Sequence, residues 1–147
     1  MTKGMKGNSY HNLDSKGRLI IPARFRESLG ASFVMCHGMD GNIYVYPNDE
    51  WETFSEKLNA LPLTYPMGRK LQTFFLGSAY DCEVDGQFRV VIPQVLRDDA
   101  KIEKEVVMVG NGATAQIWSK DAWDKFNSVE NMDIDAIAAE VSQNFMI

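Results

Sequence analysis

The chain carries one motif twice, about half its length apart. Leu13-Asp14-Ser15-Lys16-Gly17-Arg18-Leu19-Ile20-Ile21-Pro22 aligns with Val84-Asp85-Gly86-Gln87-Phe88-Arg89-Val90-Val91-Ile92-Pro93 at an offset of 71 residues. The shared pattern is apolar-Asp-x-x-x-Arg-apolar-apolar-Ile-Pro. It runs on to Arg26 and Arg97, and after a one-residue insertion the match resumes at an offset of 72. There Val45-Tyr46 aligns with Ile117-Trp118, Asp49 with Asp121, Trp51 with Trp123 and Phe54 with Phe126. One chain therefore holds two copies of one structural unit. A surface made by duplication suits binding better than a single catalytic cleft.

Each copy has the same local grammar. In the first, residues 9–13 have strand character, residues 14–17 a turn, and residues 18–21 a return strand. Gly17 supplies the positive φ, and Asp14 caps the turn through its carboxylate. Pro22 stops sheet pairing and opens a short helix over 23–28, closed by Gly30. Residues 32–37 and 43–46 form a hairpin about Gly38–Asn42. A helix over 49–61 carries Trp51, Phe54, Leu58 and Leu61 on one stripe. Pro62 and Pro66 interrupt it before a second helix over 67–76.

In the second copy, residues 79–84 and 88–92 flank the turn at 85–87, and residues 93–97 match the short helix. Residues 105–109 and 115–118 form the hairpin. Ser119 N-caps a helix bearing Trp123 and Phe126. Residues 133–145 have helical spacing. The expected division is a first unit at 8–50, a helical insert at 51–78, a second unit at 79–122 and a C-terminal helical region at 123–147. The aromatic residues Trp51, Phe54, Phe74, Phe75, Trp123 and Phe126 serve either as packing against the sheet or as helix faces shared between subunits.

The 147 residues suit one domain or two fused halves, and 45% apolar content supports a real core. Net charge is −5, against polyanion binding by the whole surface, but it is unevenly spread. Residues 1–30 hold six cations against Asp14 and Glu27, a sum of +4, which leaves −9 elsewhere. Such asymmetry marks a nucleic-acid-facing end. Cys36 and Cys82 lie in apolar strands and read as small buried hydrophobes, not a disulfide framework or metal site. No leader follows Met1 and no run approaches a membrane span, so the expectation is a soluble cytoplasmic protein that needs no cofactor.

The sequence Asp14-Ser15-Lys16-Gly17-Arg18-Leu19-Ile20-Ile21-Pro22 resembles the AbrB/SpoVT type of DNA-binding unit. Two such units in one chain, with a helical segment between them and a C-terminal helix, resemble the MraZ family over nearly the whole length. The resemblance implies an α+β fold: a pseudo-twofold, swapped-hairpin β-barrel built from the two units. It also implies a cytoplasmic, nucleoid-associated transcriptional regulator. Its expected partners are double-stranded DNA, at direct repeats upstream of the cell-division and cell-wall gene cluster, and further copies of itself in a cyclic homo-oligomer.

On that footing Arg18 and Arg89 contact DNA, because a planar guanidinium grips phosphate or guanine with two bonds. Lys16 adds a second cation to the first loop, where the second has Gln87 and Phe88. Arg24 and Arg26 are expected either as further phosphate contacts or as a solvated helix face. Asp14 and Asp85 orient the arginines and cap the loops. An enzyme using Asp14 and Asp85 as an acid/base pair is disfavoured, since an arginine four residues on favours the ionised form of each. His11 and His37 have no ligand spacing to either cysteine. A pure assembly protein and an AbrB-type antitoxin remain as rivals.

Overall fold

The computed structural model describes residues 4–145. The first half comprises β1 (Asn8–Asn12), β2 (Arg18–Ile20), α1 (Ala23–Leu29), β3 (Ser32–His37), β4 (Ile43–Pro47), α2 (Asn48–Asn59) and α3 (Pro66–Leu76). The second comprises β5 (Tyr80–Glu83), β6 (Arg89–Val91), α4 (Gln94–Asp99), β7 (Glu105–Asn111), β8 (Thr114–Ser119), α5 (Lys120–Phe126) and α6 (Ile134–Phe145). The order β-β-α-β-β-α-α thus occurs twice. Helices α2 and α3 have α5 and α6 as their counterparts, so the duplication reaches beyond the aligned strands.

Local chemistry sets the element ends. Pro22 and Pro93 lack the amide hydrogen a strand would donate, and each stands immediately before a short helix. Gly30, at φ 74°, ends α1 in a backbone region that a side chain would strain. Pro66 opens α3. The Ser119 hydroxyl accepts a hydrogen bond from the Ala122 amide at 3.1 Å and caps α5, as its position suggests.

The strands pair across the halves. A six-stranded antiparallel sheet has the order β1-β7-β8-β4-β3-β5, and β2 and β6 make a separate two-stranded ribbon. The strand and return strand on either side of each Asp turn are therefore not partners. β1 pairs with β7, β5 with β3, and β2 with β6. Pro22 and Pro93, which follow β2 and β6 after one intervening residue, limit those strands to three residues each. The large sheet has free edges at β1 and β5, so pairing does not close it into a barrel.

Register refines the duplication. Phe33 faces Pro47 in the first hairpin and Val106 faces Ser119 in the second. Taken as equivalent pairs, they put the offset at 73 in β3/β7 and 72 in β4/β8. Two residues are gained before β7, and one is lost in the following turn.

One apolar core joins the ribbon to the sheet. Leu19 and Val90 point inward beside Ile21, Phe25, Phe33, Met35, Val45, Ile92, Leu96, Val106, Met108 and Ile117. The opposite face of β3 and β4 is covered by α2 and α3. There Cys36, Leu58 and Phe75 are buried among Tyr44, Tyr46, Trp51 and Phe54. Trp118 receives α5, with Trp123 and Phe126 centroids at 5.5 and 4.7 Å. Trp51, Phe54 and Phe75 are thus packing residues within the chain. Phe74, with Met67 and Leu71, lies on an exposed stripe of α3, and α6 buries none of its residues. Burial raises the Cys36 thiol to about 12 and the Cys82 thiol to about 11, so both stay protonated. Among the described residues no helix is long and apolar enough to cross a membrane.

Candidate nucleic-acid interface

The two Asp-x-x-x-Arg loops fold alike, and the aspartate explains why. Asp14 Oδ1 accepts hydrogen bonds from the amides of Lys16 and Arg18, both at 2.9 Å, and Oδ2 accepts from Arg18 Nε at 2.6 Å. Asp85 Oδ1 accepts from the amides of Gln87 (2.8 Å) and Arg89 (2.9 Å), and Oδ2 from Arg89 Nε at 2.9 Å. In both loops the Asp carbonyl also accepts a 3.0 Å bond, from the Gly17 or Phe88 amide. One carboxylate therefore closes the turn and fixes the guanidinium. The terminal nitrogens of Arg18 and Arg89 make no hydrogen bond with the described residues. That is the fork geometry a phosphate or a guanine edge accepts.

Pairing of β2 with β6 brings the two loops together. Arg18 faces Val91 and Ile20 faces Arg89. Alternation along a strand puts these four side chains on one face and Leu19 and Val90 on the other, in the core. The outward face thus holds two arginines and two aliphatic residues in a diagonal arrangement. Lys16 is exposed on the first loop.

Each loop is braced by the opposite unit. Ile21 donates its amide to the Phe88 carbonyl at 2.8 Å, and Ile92 to the Gly17 carbonyl at 3.0 Å. Gly17 (φ 74°) and Phe88 (φ 61°) are equivalent by the repeat, and both are left-handed. Arg26, from α1, lies 3.9 Å from the Phe88 ring centroid and donates Nε to the Ile21 carbonyl at 2.9 Å. Its counterpart Arg97 donates to the Ile92 carbonyl at 2.9 Å and to Gln94 at 2.8 Å. The Arg97 guanidinium occupies the space a Gly17 side chain would take. Arg24 donates to the Asn8 carbonyl and lies 5.3 Å from the Phe25 ring centroid. Of the five expected cationic contacts, Arg18 and Arg89 share the ribbon, Lys16 stands on its loop, and Arg24 and Arg26 are engaged within the chain. The bracing role of Arg97 escaped the sequence reading, although its alignment with Arg26 was the available signal.

Gly17→Ala tests this brace. An added Cβ would lie 2.5 Å from the Arg97 guanidinium carbon in a left-handed backbone. Displacing that flexible end strains its bond to Ile92, and left-handed φ adds on the order of 1 kcal/mol for a non-glycine residue. Thermal unfolding should show a loss of about 1–2 kcal/mol; an unchanged Tm would remove the brace from the account.

Both aspartate pKa values are lowered, above all by the amide of Arg18 for Asp14 and of Arg89 for Asp85, with the guanidinium adding to each. A depressed folded pKa contributes stability that is present above the ordinary carboxylate value, near 3.9, and lost as pH falls through the folded value. The melting temperature should therefore fall below about pH 4 more steeply in the parent than in a doubly substituted Asp14→Asn, Asp85→Asn protein. Parallel pH profiles would show that these carboxylates do not stabilise the loops. Ionised, arginine-paired carboxylates are also poor candidates for sharing a proton.

The fold and this site define a duplicated β-unit protein that presents a paired-arginine ribbon. The family profile described as "MraZ protein, putative antitoxin-like" matches residues 5–74 and again residues 75–145, so this chain belongs to the MraZ family. A protein of Caldanaerobacter subterraneus subsp. tengcongensis is 45% identical over 143 residues, covering 97% of this chain and 99% of that one. One of Heliobacterium modesticaldum is 50% identical over 121 residues, 82% of this chain and 85% of its own. One of Limosilactobacillus reuteri is 45% identical over 141 residues, 96% of this chain and 99% of its own. Each is named transcriptional regulator MraZ.

Proposed function

We propose that this protein is a sequence-specific, non-enzymatic regulator of transcription that binds double-stranded DNA through the β2–β6 ribbon. The observation that carries the reading is the pair of arginines on one rigid face, each held at Nε by its own loop aspartate with its terminal nitrogens available. The regulator names of its relatives support the same conclusion. Arg18 and Arg89 reach the DNA and Lys16 adds a phosphate contact. Arg24 and Arg26 reach phosphates only through whatever donors their internal bonds leave, and act first as supports of the ribbon. Asp14 and Asp85 orient the arginines. Exchange of strands between units supports a swapped-hairpin reading of the fold, with the ribbon and the open sheet sharing one core.

One ribbon makes few contacts on an acidic protein, so a single copy binds weakly. We read the assembly as a cyclic homo-oligomer. Its head-to-tail interfaces repeat in one direction and suit direct repeats, here upstream of the cell-division and cell-wall gene cluster. Linked sites raise avidity by ~10²–10⁴ without new contacts. The exposed stripes on α3 (Met67, Leu71, Phe74) and α6 (Ile134, Ile137) support a subunit interface. The location is the cytoplasm, on the nucleoid.

Fluorescence anisotropy against labelled duplex from upstream of the protein's own gene, beside a scrambled duplex at two salt concentrations, tests the reading. Tight, salt-sensitive preference for the native duplex is expected. Equal weak binding would indicate a general nucleoid role, and no binding at low salt would favour a protein partner.

A further inference from the structure

We infer that Ile20 and Val91 read thymine methyl groups in the major groove, between the positions engaged by Arg18 and Arg89. This inference rests on the DNA-binding reading above and adds the specificity-determining residues to it.

The two residues are equivalents in the repeat, and both are more than half exposed, at 54% and 51%. Their strand neighbours Leu19 and Val90 are essentially inaccessible, at 0% and 1%. The core therefore has no use for Ile20 or Val91, and an outward strand position is ordinarily given to a polar residue. Cross-strand pairing sets each beside the other unit's arginine, Arg18 with Val91 and Ile20 with Arg89. The apolar pair thus sits inside a cationic frame, and that combination narrows the occupant. An apolar peptide would gain nothing from two preset guanidinium forks. A bare phosphate track would gain nothing from two branched aliphatic groups.

The major groove offers both chemistries. It admits a two-stranded ribbon and displays the thymine C5 methyl as an apolar group beside the acceptors of guanine. Spacing agrees as well. Positions i and i+2 of a strand are about 6.7 Å apart, close to two base-pair steps of ~3.4 Å. An arginine and the aliphatic residue two places along its strand can address bases two steps apart. Ile20 and Val91 then separate thymine from cytosine, which carries no methyl there.

The test uses the full-length protein and the duplex from upstream of its gene, with every thymine replaced by 2′-deoxyuridine. That change removes methyl groups and leaves phosphates and pairing edges intact. The parent should bind the uracil duplex roughly 4-fold more weakly per methyl contacted, the value of one buried carbon group. A doubly substituted Ile20→Ser, Val91→Ser protein should bind the thymine duplex as weakly as the parent binds the uracil one, and its thymine-to-uracil ratio should fall to near one. Both sites are exposed, so circular dichroism should show the fold retained. Equal parent affinity for the two duplexes overturns the inference alone, as does a variant that keeps the parent's ratio. Failure to bind either duplex at low salt overturns it together with the reading it rests on.

Discussion

Replacing Arg18 and Arg89 together with alanine should cut affinity for the native duplex on the order of 10²–10⁴-fold while leaving the fold intact. Each arginine that grips a base edge or phosphate contributes about 1–3 kcal/mol, and both lie on one ribbon face, so a single bound copy loses the two at once. The salt dependence should flatten too, because fewer counterions are released. The fold survives because both side chains project from the core. Asp14 and Asp85 also keep the two amide hydrogen bonds that close each turn. Anisotropy titrations and thermal melts of the same preparations decide it. A variant that melts early, yet whose folded fraction binds normally, would make these arginines structural.

Phe25→Ala should give the largest loss of stability, about 3–5 kcal/mol for a fully buried ring. In a chain of this size that lowers Tm on the order of 10 °C. Phe25 lies on α1 with no exposed surface, inside the cluster that joins ribbon to sheet. Phe54 would be the natural choice from sequence, since it sits on the apolar stripe of α2. It is only part-buried, stacked at 5.2 Å on Tyr46 and edge-on to Phe75 at 5.0 Å, so water already reaches part of what truncation would remove. Differential scanning calorimetry of Phe25→Ala gives the answer directly; a shift of a degree or two would mean the core collapses around the gap.

Much of this was legible beforehand because it is local. A carboxylate two and four residues before the amides it accepts from, and four before its arginine, makes a turn whatever surrounds it. Pro22 and Pro93 set element ends by lacking an amide hydrogen, and Ser119 does so by a bond to an amide three residues on. The helical stripes and the burial of Cys36 and Cys82 follow from apolar spacing in the same way. The duplication fixed that whatever one half built, the other would build again.

Strand partners were not local and could not be read. Nothing in residues 8–21 says that β1 belongs beside β7 and β2 beside β6, because alternation marks which face is apolar and not whose edge is nearest. The swapped-hairpin barrel expected from resemblance takes the form, in its strand pairing, of an open six-stranded sheet and a separate ribbon. The arginines make the same point. Arg18 and Arg26 are identical groups eight residues apart, each repeated in the second copy. Sequence determined that Arg18 would be a cation beside a turn and Arg26 a cation on the short helix after it. Only the tertiary structure decided that Arg26 spends itself on the Phe88 ring and the Ile21 carbonyl, while Arg18 keeps its outer nitrogens available. A cation's role depends on which acceptors and rings the other unit brings within reach, and that is settled only when the two halves exchange strands.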